Sequence, residues 1–129
     1  MTAGVRWIRR LMILNLGLIS LQPISAGFIL SGYGGGVRAH AAVAMAVQLG
    51  VVVQAAAAVV LWRLHRLPGW AAGMSVGLLF IAFLQMGLGY THRYWLHVPL
   101  GVGIVGWLRG QVRKFDASYR ELPAKETRP

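Results

Sequence analysis

Four apolar runs divide the chain, at about residues 11–30, 39–62, 70–90 and 94–108. An α-helix needs roughly 20 apolar residues to cross a bilayer, which the first three runs supply. The fourth is short and carries Pro99 near its start, where proline is tolerated because first-turn N–H groups lack intrahelical partners. Trp62, Trp70, Trp95 and Trp107 fall near run ends, the positions of an interfacial aromatic belt. The pattern predicts an all-α membrane protein: a four-transmembrane-helix up-and-down bundle over residues 1–110 and a cytoplasmic basic tail over 111–129. Within that tail Val112, Phe115, Tyr119 and Leu122 recur at helical spacing among Arg113, Lys114 and Arg120. This suits a short amphipathic helix on the cytoplasmic leaflet, giving way to disorder from Pro123, with a solvated tail as the alternative. The first run, preceded by arginines and containing Ile24-Ser25-Ala26, also reads as a cleaved signal peptide. Its continuation to Leu30 favours a full span.

Charge gives this bundle an orientation. All three acidic residues (Asp116, Glu121, Glu126) lie near the C-terminus, so Leu11 to Trp107 carries no carboxylate. With 57% hydrophobic residues, 12% charged and a mean hydropathy of +0.59, the chain lacks the mixed charge of a soluble surface. Its net charge of +10 does not point to nucleic acid, because the basic residues sit between and beyond the apolar runs. Arg6, Arg9, Arg10, Arg63, Arg66, Arg109, Arg113, Lys114, Arg120, Lys125 and Arg128 fall on one side, and only Arg38 and Arg93 on the other. The positive-inside bias then places both termini in the cytoplasm of a multi-pass protein of the plasma (inner) membrane, with the lipid bilayer as its first partner. The absence of cysteine excludes disulfides, thiol catalysis and thiolate metal sites.

The two halves resemble each other. Leu21-Gln22, Gly27, a loop, His40 and Ala44 are echoed by Leu84-Gln85, Gly89, a loop, His97 and Gly101. The expectation is two parallel helical-hairpin repeats about a pseudo-two-fold axis along the membrane normal. Helices two and four then lie diagonally across the bundle. With neighbours about 8–10 Å apart, that diagonal is roughly 11–14 Å, so His40 and His97 face each other near the outer surface with room between them for a flat macrocycle.

Ionisable groups inside membrane helices are functional candidates by default. His65, between Arg63 and Arg66, reads as loop polarity, and His92 lies in the outer loop beside Arg93. His40 and His97 are the candidate ligands. Zinc usually takes three or four N, S or O ligands, and no nearby carboxylate or cysteine completes such a set. A haem needs only two axial histidines, with Arg38, His92 and Arg93 available to its propionates at the outer end. Axial histidines normally donate their other ring nitrogen to a carbonyl or side chain, a partner the sequence does not identify. Asn15, Gln22, Gln48, Gln54 and Gln85 read as interhelical hydrogen-bonding groups. Gly32 to Gly36 and Gly101-x-Gly103 are not phosphate loops.

At Gln85-Met86-Gly87-Leu88-Gly89 and Leu96-His97-Val98-Pro99-Leu100-Gly101 the sequence resembles one half of the haem A synthase family. That family has two four-helix halves, each with a histidine on its second and fourth helices. The resemblance covers about Leu11 to Leu108 and implies that His40 and His97 are paired haem ligands, with Gln22, Gly27, Gln85 and Gly89 as packing features. The family's catalytic half has a glutamate three residues before its first histidine, where this chain has Val37. A bis-histidine haem b module for electron transfer or haem handling is therefore expected, rather than an enzyme that hydroxylates haem. The alternative is a cofactor-free membrane assembly or partner subunit. A transporter is weaker, since no charged residue within the spans supports ion coupling, and no acid/base pair or nucleophile constellation suggests catalysis by side chains.

Overall fold

The computed structural model describes residues 1–120. It is all α: α1 (Ala3–Ser20), α2 (Gln22–Leu30), α3 (Gly36–Arg63), α4 (Gly69–Tyr90) and α5 (Tyr94–Arg120). Three stretches are long and apolar enough to cross a membrane, namely α1 with α2 (Ala3–Leu30), α3 and α4. The expected fourth run differs. Its apolar part, 94–108, is about 22 Å long at 1.5 Å per residue, short of the roughly 30 Å hydrocarbon core.

The interruption between α1 and α2 follows from Pro23. Proline has no N–H to offer the carbonyl four residues back, and its ring crowds that carbonyl. The chain tightens locally, with Leu21 N–H donating to the Leu18 carbonyl at 3.1 Å. Pro99 stands in the second turn of α5, which begins at Tyr94, so it is not in the first-turn position expected for it.

The turns share one solution. The N–H of Tyr33, Arg66 and Arg93 each reaches the carbonyl five residues back, on Phe28, Leu61 and Leu88, at 2.9 Å. This closure needs a left-handed residue just before the donor. Gly32 (φ 70°), His65 (φ 55°) and His92 (φ 56°) occupy that position. Two of the four histidines thus have backbone roles in helix termination.

Each helix packs against its neighbours around the bundle, α1 on α3, α3 on α4, α4 on α5 and α5 on α1, while α3 and α5 lie diagonally. Buried positions recur at spacings of three and four, as expected for helices facing a common core. They form layers. Val5, Ile8, Met12, Ala58, Ala71 and Phe115 belong to one apolar cluster, and Ile19, Val47, Val51, Leu78, Ile104 and Leu108 to another. Between them lies a fully buried polar layer with one residue from each neighbour: Asn15, Gln54, Ser75 and Gln111.

This layer is hydrogen-bonded across all four helices. Asn15 Nδ2 donates to Gln54 Oε1 (2.8 Å), and Gln54 Nε2 to both Ser75 Oγ and Gln111 Oε1 (3.2 Å each). Gln111 Nε2 in turn donates to Ser75 Oγ (2.8 Å), whose hydroxyl donates to the Ala71 carbonyl (2.9 Å). A Gln54→Leu variant is expected to lose about 1–3 kcal/mol of stability, because it strands the buried Asn15 Nδ2 donor on α1 and the Gln111 Oε1 acceptor on α5. Reversible unfolding in detergent measures this; unchanged stability would show the layer to be passive filler.

The bundle does not end at residue 110. Gln111 and Phe115 are fully buried, and Arg9 Nε and Nη2 donate to the two Asp116 carboxylate oxygens at 2.7 and 3.1 Å. Residues 111–120 therefore continue α5 against α1, instead of forming a separate helix on the membrane surface. The rest of the expected tail, 121–129, including Leu122 and the expected disorder from Pro123, lies outside the described residues.

Candidate functional site

Alongside the second apolar cluster, and on towards the α2–α3 and α4–α5 turns, the helices leave a cleft between them. A cavity of about 560 Å³ lies among α2, α3, α4 and α5, within the roughly 300–1,000 Å³ range of small-molecule and cofactor sites. The divergence at Leu21 contributes to it: α1 packs on α5, but the backbone of α2 makes no close approach to α5. The cavity walls are mainly apolar, with Val47, Ala82, Val98, Val102 and Ile104 among them, and both His40 and His97 line it.

The two imidazoles meet across the diagonal. Their ring centres are 6.2 Å apart with planes inclined by 62°. Each ring is oriented through its Nδ1. For His97, Nδ1–H donates to the Gln85 carbonyl (2.8 Å), and the Gln85 side-chain Nε2 donates back to the His97 carbonyl (2.8 Å). A carbonyl can only accept, so the proton of neutral His97 sits on Nδ1 and Nε2 keeps its lone pair.

Two glycines make this reciprocal clasp fit. A Cβ at Gly89 would stand 3.0 Å from His97 Cε1, and one at Gly101 would stand 2.8 Å from Gln85 Nε2. The glycine one turn after each partner clears space for the other partner's side chain. Gly101 thus admits the Gln85 amide, besides lining the cavity.

For His40, Nδ1 lies 2.9 Å from Ser25 Oγ, and the Ser25 hydroxyl donates to the Gln22 carbonyl at 2.9 Å. A hydroxyl has one proton; with it committed to the carbonyl, Ser25 Oγ accepts from His40 Nδ1–H. In that tautomer His40 Nε2 is also the lone-pair nitrogen. Both histidines carry the orientation typical of metal-ligating imidazoles, with one nitrogen tied back and the other available.

The separation suits a shared ligand. Two metal–imidazole bonds of about 2.0–2.1 Å each, from nitrogens about 1.1 Å off their ring centres, put the centres roughly 6 Å apart when the nitrogens face each other. Among the described residues no third His, Asp or Glu joins the pair to form a three-ligand cluster. The group best matched to two axial nitrogens in an apolar cavity is one that brings its own equatorial donors.

The remaining candidates are placed differently. Arg38, His92 and Arg93 are exposed at the same end of the bundle and are not among the cavity-lining residues. The His92 ring instead packs edge-on against Tyr94, with centres 5.6 Å apart. Sequence reasoning missed Ser25 and the orienting carbonyls of Gln22 and Gln85. The repeated glutamines were the available signal, although the tie uses their main chains. The repeat correspondence is uneven at Gly27, where an added Cβ would meet nothing within 4 Å. Gln48 Nε2 and Gln85 Oε1 are buried without a hydrogen-bond partner, and both residues line the cavity.

Compared with protein-family models, curated proteins and solved structures, the chain matches none.

Proposed function

We propose that this protein is a four-span plasma-membrane module that holds one haem b between His40 and His97, for electron transfer or haem handling near the outer face. The observation that carries this reading is the His40–His97 imidazole pair, in edge contact with 6.2 Å between centres, in a mainly apolar cavity of about 560 Å³. The similarity of Gln85 to Gly101 with half of the haem A synthase family supports the same reading. So does the distribution of basic residues, which puts the His40–His97 end outside by the positive-inside bias. In this reading α5 is the fourth span; it packs along α4 and along α1, both parts of stretches long and apolar enough to cross.

When bound, haem would supply a one-electron couple tuned by its axial ligands and by burial. The chain's own residues do the rest. Gln85 and Ser25 hold the rings through Nδ1, while the Gly89 and Gly101 gaps let α4 and α5 pack around His97 and Gln85. The walls are mainly apolar, and the polar Asn15–Gln54–Ser75–Gln111 layer ties the four helices together beneath the site. Exposed Leu49, Phe80 and Phe83 present apolar surface for lipid.

Protein purified in detergent from haem-sufficient cells is expected to show a Soret band, with a sharpened visible band on reduction. A colourless protein that also fails to take up added haem would overturn the reading in favour of a cofactor-free assembly or partner subunit.

A further inference from the structure

The cavity continues well past the histidines, and its polar groups change character along the way. Gln48 lies eight residues beyond His40 in α3 and Arg109 twelve beyond His97 in α5. At 1.5 Å per residue these positions are about 12 and 18 Å further along the helices. Both residues line the same cavity as the imidazoles. Gln48 is only 8% exposed, and its Nε2 is a buried N–H donor with nothing to donate to. A stranded buried amide is costly, so such a group in a cavity wall calls for an acceptor from whatever occupies the cavity.

The inner part of the cavity thus offers an amide donor on α3 and, further along, the exposed Arg109 guanidinium on α5, with Val47, Val102 and Val105 also in its walls. Between Leu11 and Gly110 the chain has no acidic side chain, so an anion at this depth has to come with the ligand. Guanidinium and amide N–H together match a carboxylate.

We propose that Gln48 and Arg109 form a carboxylate subsite at the inner end of the cavity, which orients the ligand with its acid groups towards the Arg109 side. The inference rests on the haem reading of the His40–His97 pair. It reverses the sequence expectation that propionates turn outward to Arg38, His92 and Arg93, all of which lie off the cavity.

The test titrates the full-length protein in detergent with haem b and with haem b dimethyl ester, whose carboxylates are capped, following the Soret band. The wild type is expected to prefer the free acid by roughly tenfold or more, the scale of hydrogen bonds to a charged group. Gln48→Leu and Arg109→Gln should each remove most of that preference, leaving the axial-ligand spectrum unchanged. Arg38→Gln and Arg93→Gln should retain it. Arg109 is exposed, so R109Q keeps the test valid if Q48L folds poorly. Equal binding of acid and ester by the wild type, or a preference lost only in R38Q and R93Q, overturns the subsite and leaves the haem reading intact. Binding of neither compound overturns both.

Discussion

A His97→Ala variant is expected to lose haem affinity by about a hundredfold or more and to lose the spectrum of two axial imidazoles, while His92→Ala behaves as the wild type. The contrast follows from placement. His97 lines the cavity with its Nε2 lone pair available, whereas His92 occupies the left-handed cap of α4 with its ring against Tyr94. Removing a ligand should cost more than removing the group that orients it, for which about 10–100-fold is typical. Ser25→Ala therefore falls between the two. It frees the His40 ring to rotate or change tautomer but leaves the imidazole in place. The series is read by haem titration. If H97A and H92A gave the same affinity, the pair would not be the binding site.

The second large effect is expected at Gly36. A Cβ there would stand 2.8 Å from the Ile29 nitrogen and 2.9 Å from the Phe28 carbonyl carbon. These are main-chain atoms, so no side chain can swing away, and relief requires α2 and α3 to separate. Gly36→Val should cost about 1–3 kcal/mol, the usual range for overpacking, or more because the obstacle is backbone. It should also weaken haem binding, since His40 lies one turn further along α3 and its partner Ser25 lies on α2. Gly27→Ala is the control. Its Cβ meets nothing within 4 Å, so the change should be neutral or stabilising by about 0.5–1 kcal/mol, the helix preference for alanine. Thermal unfolding in detergent with haem titration checks both. Equal stability of the two variants would mean that the α2–α3 contact is not tight.

The apolar runs made most helix positions legible, because membrane helices advertise themselves by length and hydropathy. The ends of α2, α3 and α4 fall within a few residues of the expected limits. The errors lie where charge was read as a boundary. Arg6, Arg9 and Arg10 suggested that the first helix begins near residue 11, yet Val5, Ile8 and Met12 already face the core. Arg113 and Lys114 suggested a tail, yet the 104, 108, 111, 115 spacing carries α5 onward, with Gln111 in the polar layer and Asp116 on Arg9. A helix that is charged on one face and buried on the other keeps its periodicity but fails a test of mean hydropathy.

At the candidate site, His40 and His97 were legible as histidines that follow Gln22 and Gln85, each after a loop, and the structure brings their rings into contact. Their orienting partners were not legible, because a main-chain carbonyl leaves no mark in sequence and Ser25 sits in a stretch of small residues that reads as a cleavage site. The Gln85–Gly89 and His97–Gly101 spacings were visible, but the exchange they permit is apparent only once α4 and α5 are packed together. The outer charges are placed differently from the expectation. Arg38 and Arg93 are near the histidines in sequence, but their exposed side chains do not line the cavity.

The central claim, that one haem is gripped by both His40 and His97, is most directly tested by electron paramagnetic resonance of the oxidised, haem-loaded protein. The account predicts a low-spin ferric signal in the wild type that gives way to a high-spin signal in both His40→Ala and His97→Ala. A wild-type protein that is high-spin, or a low-spin signal surviving both substitutions, would contradict it.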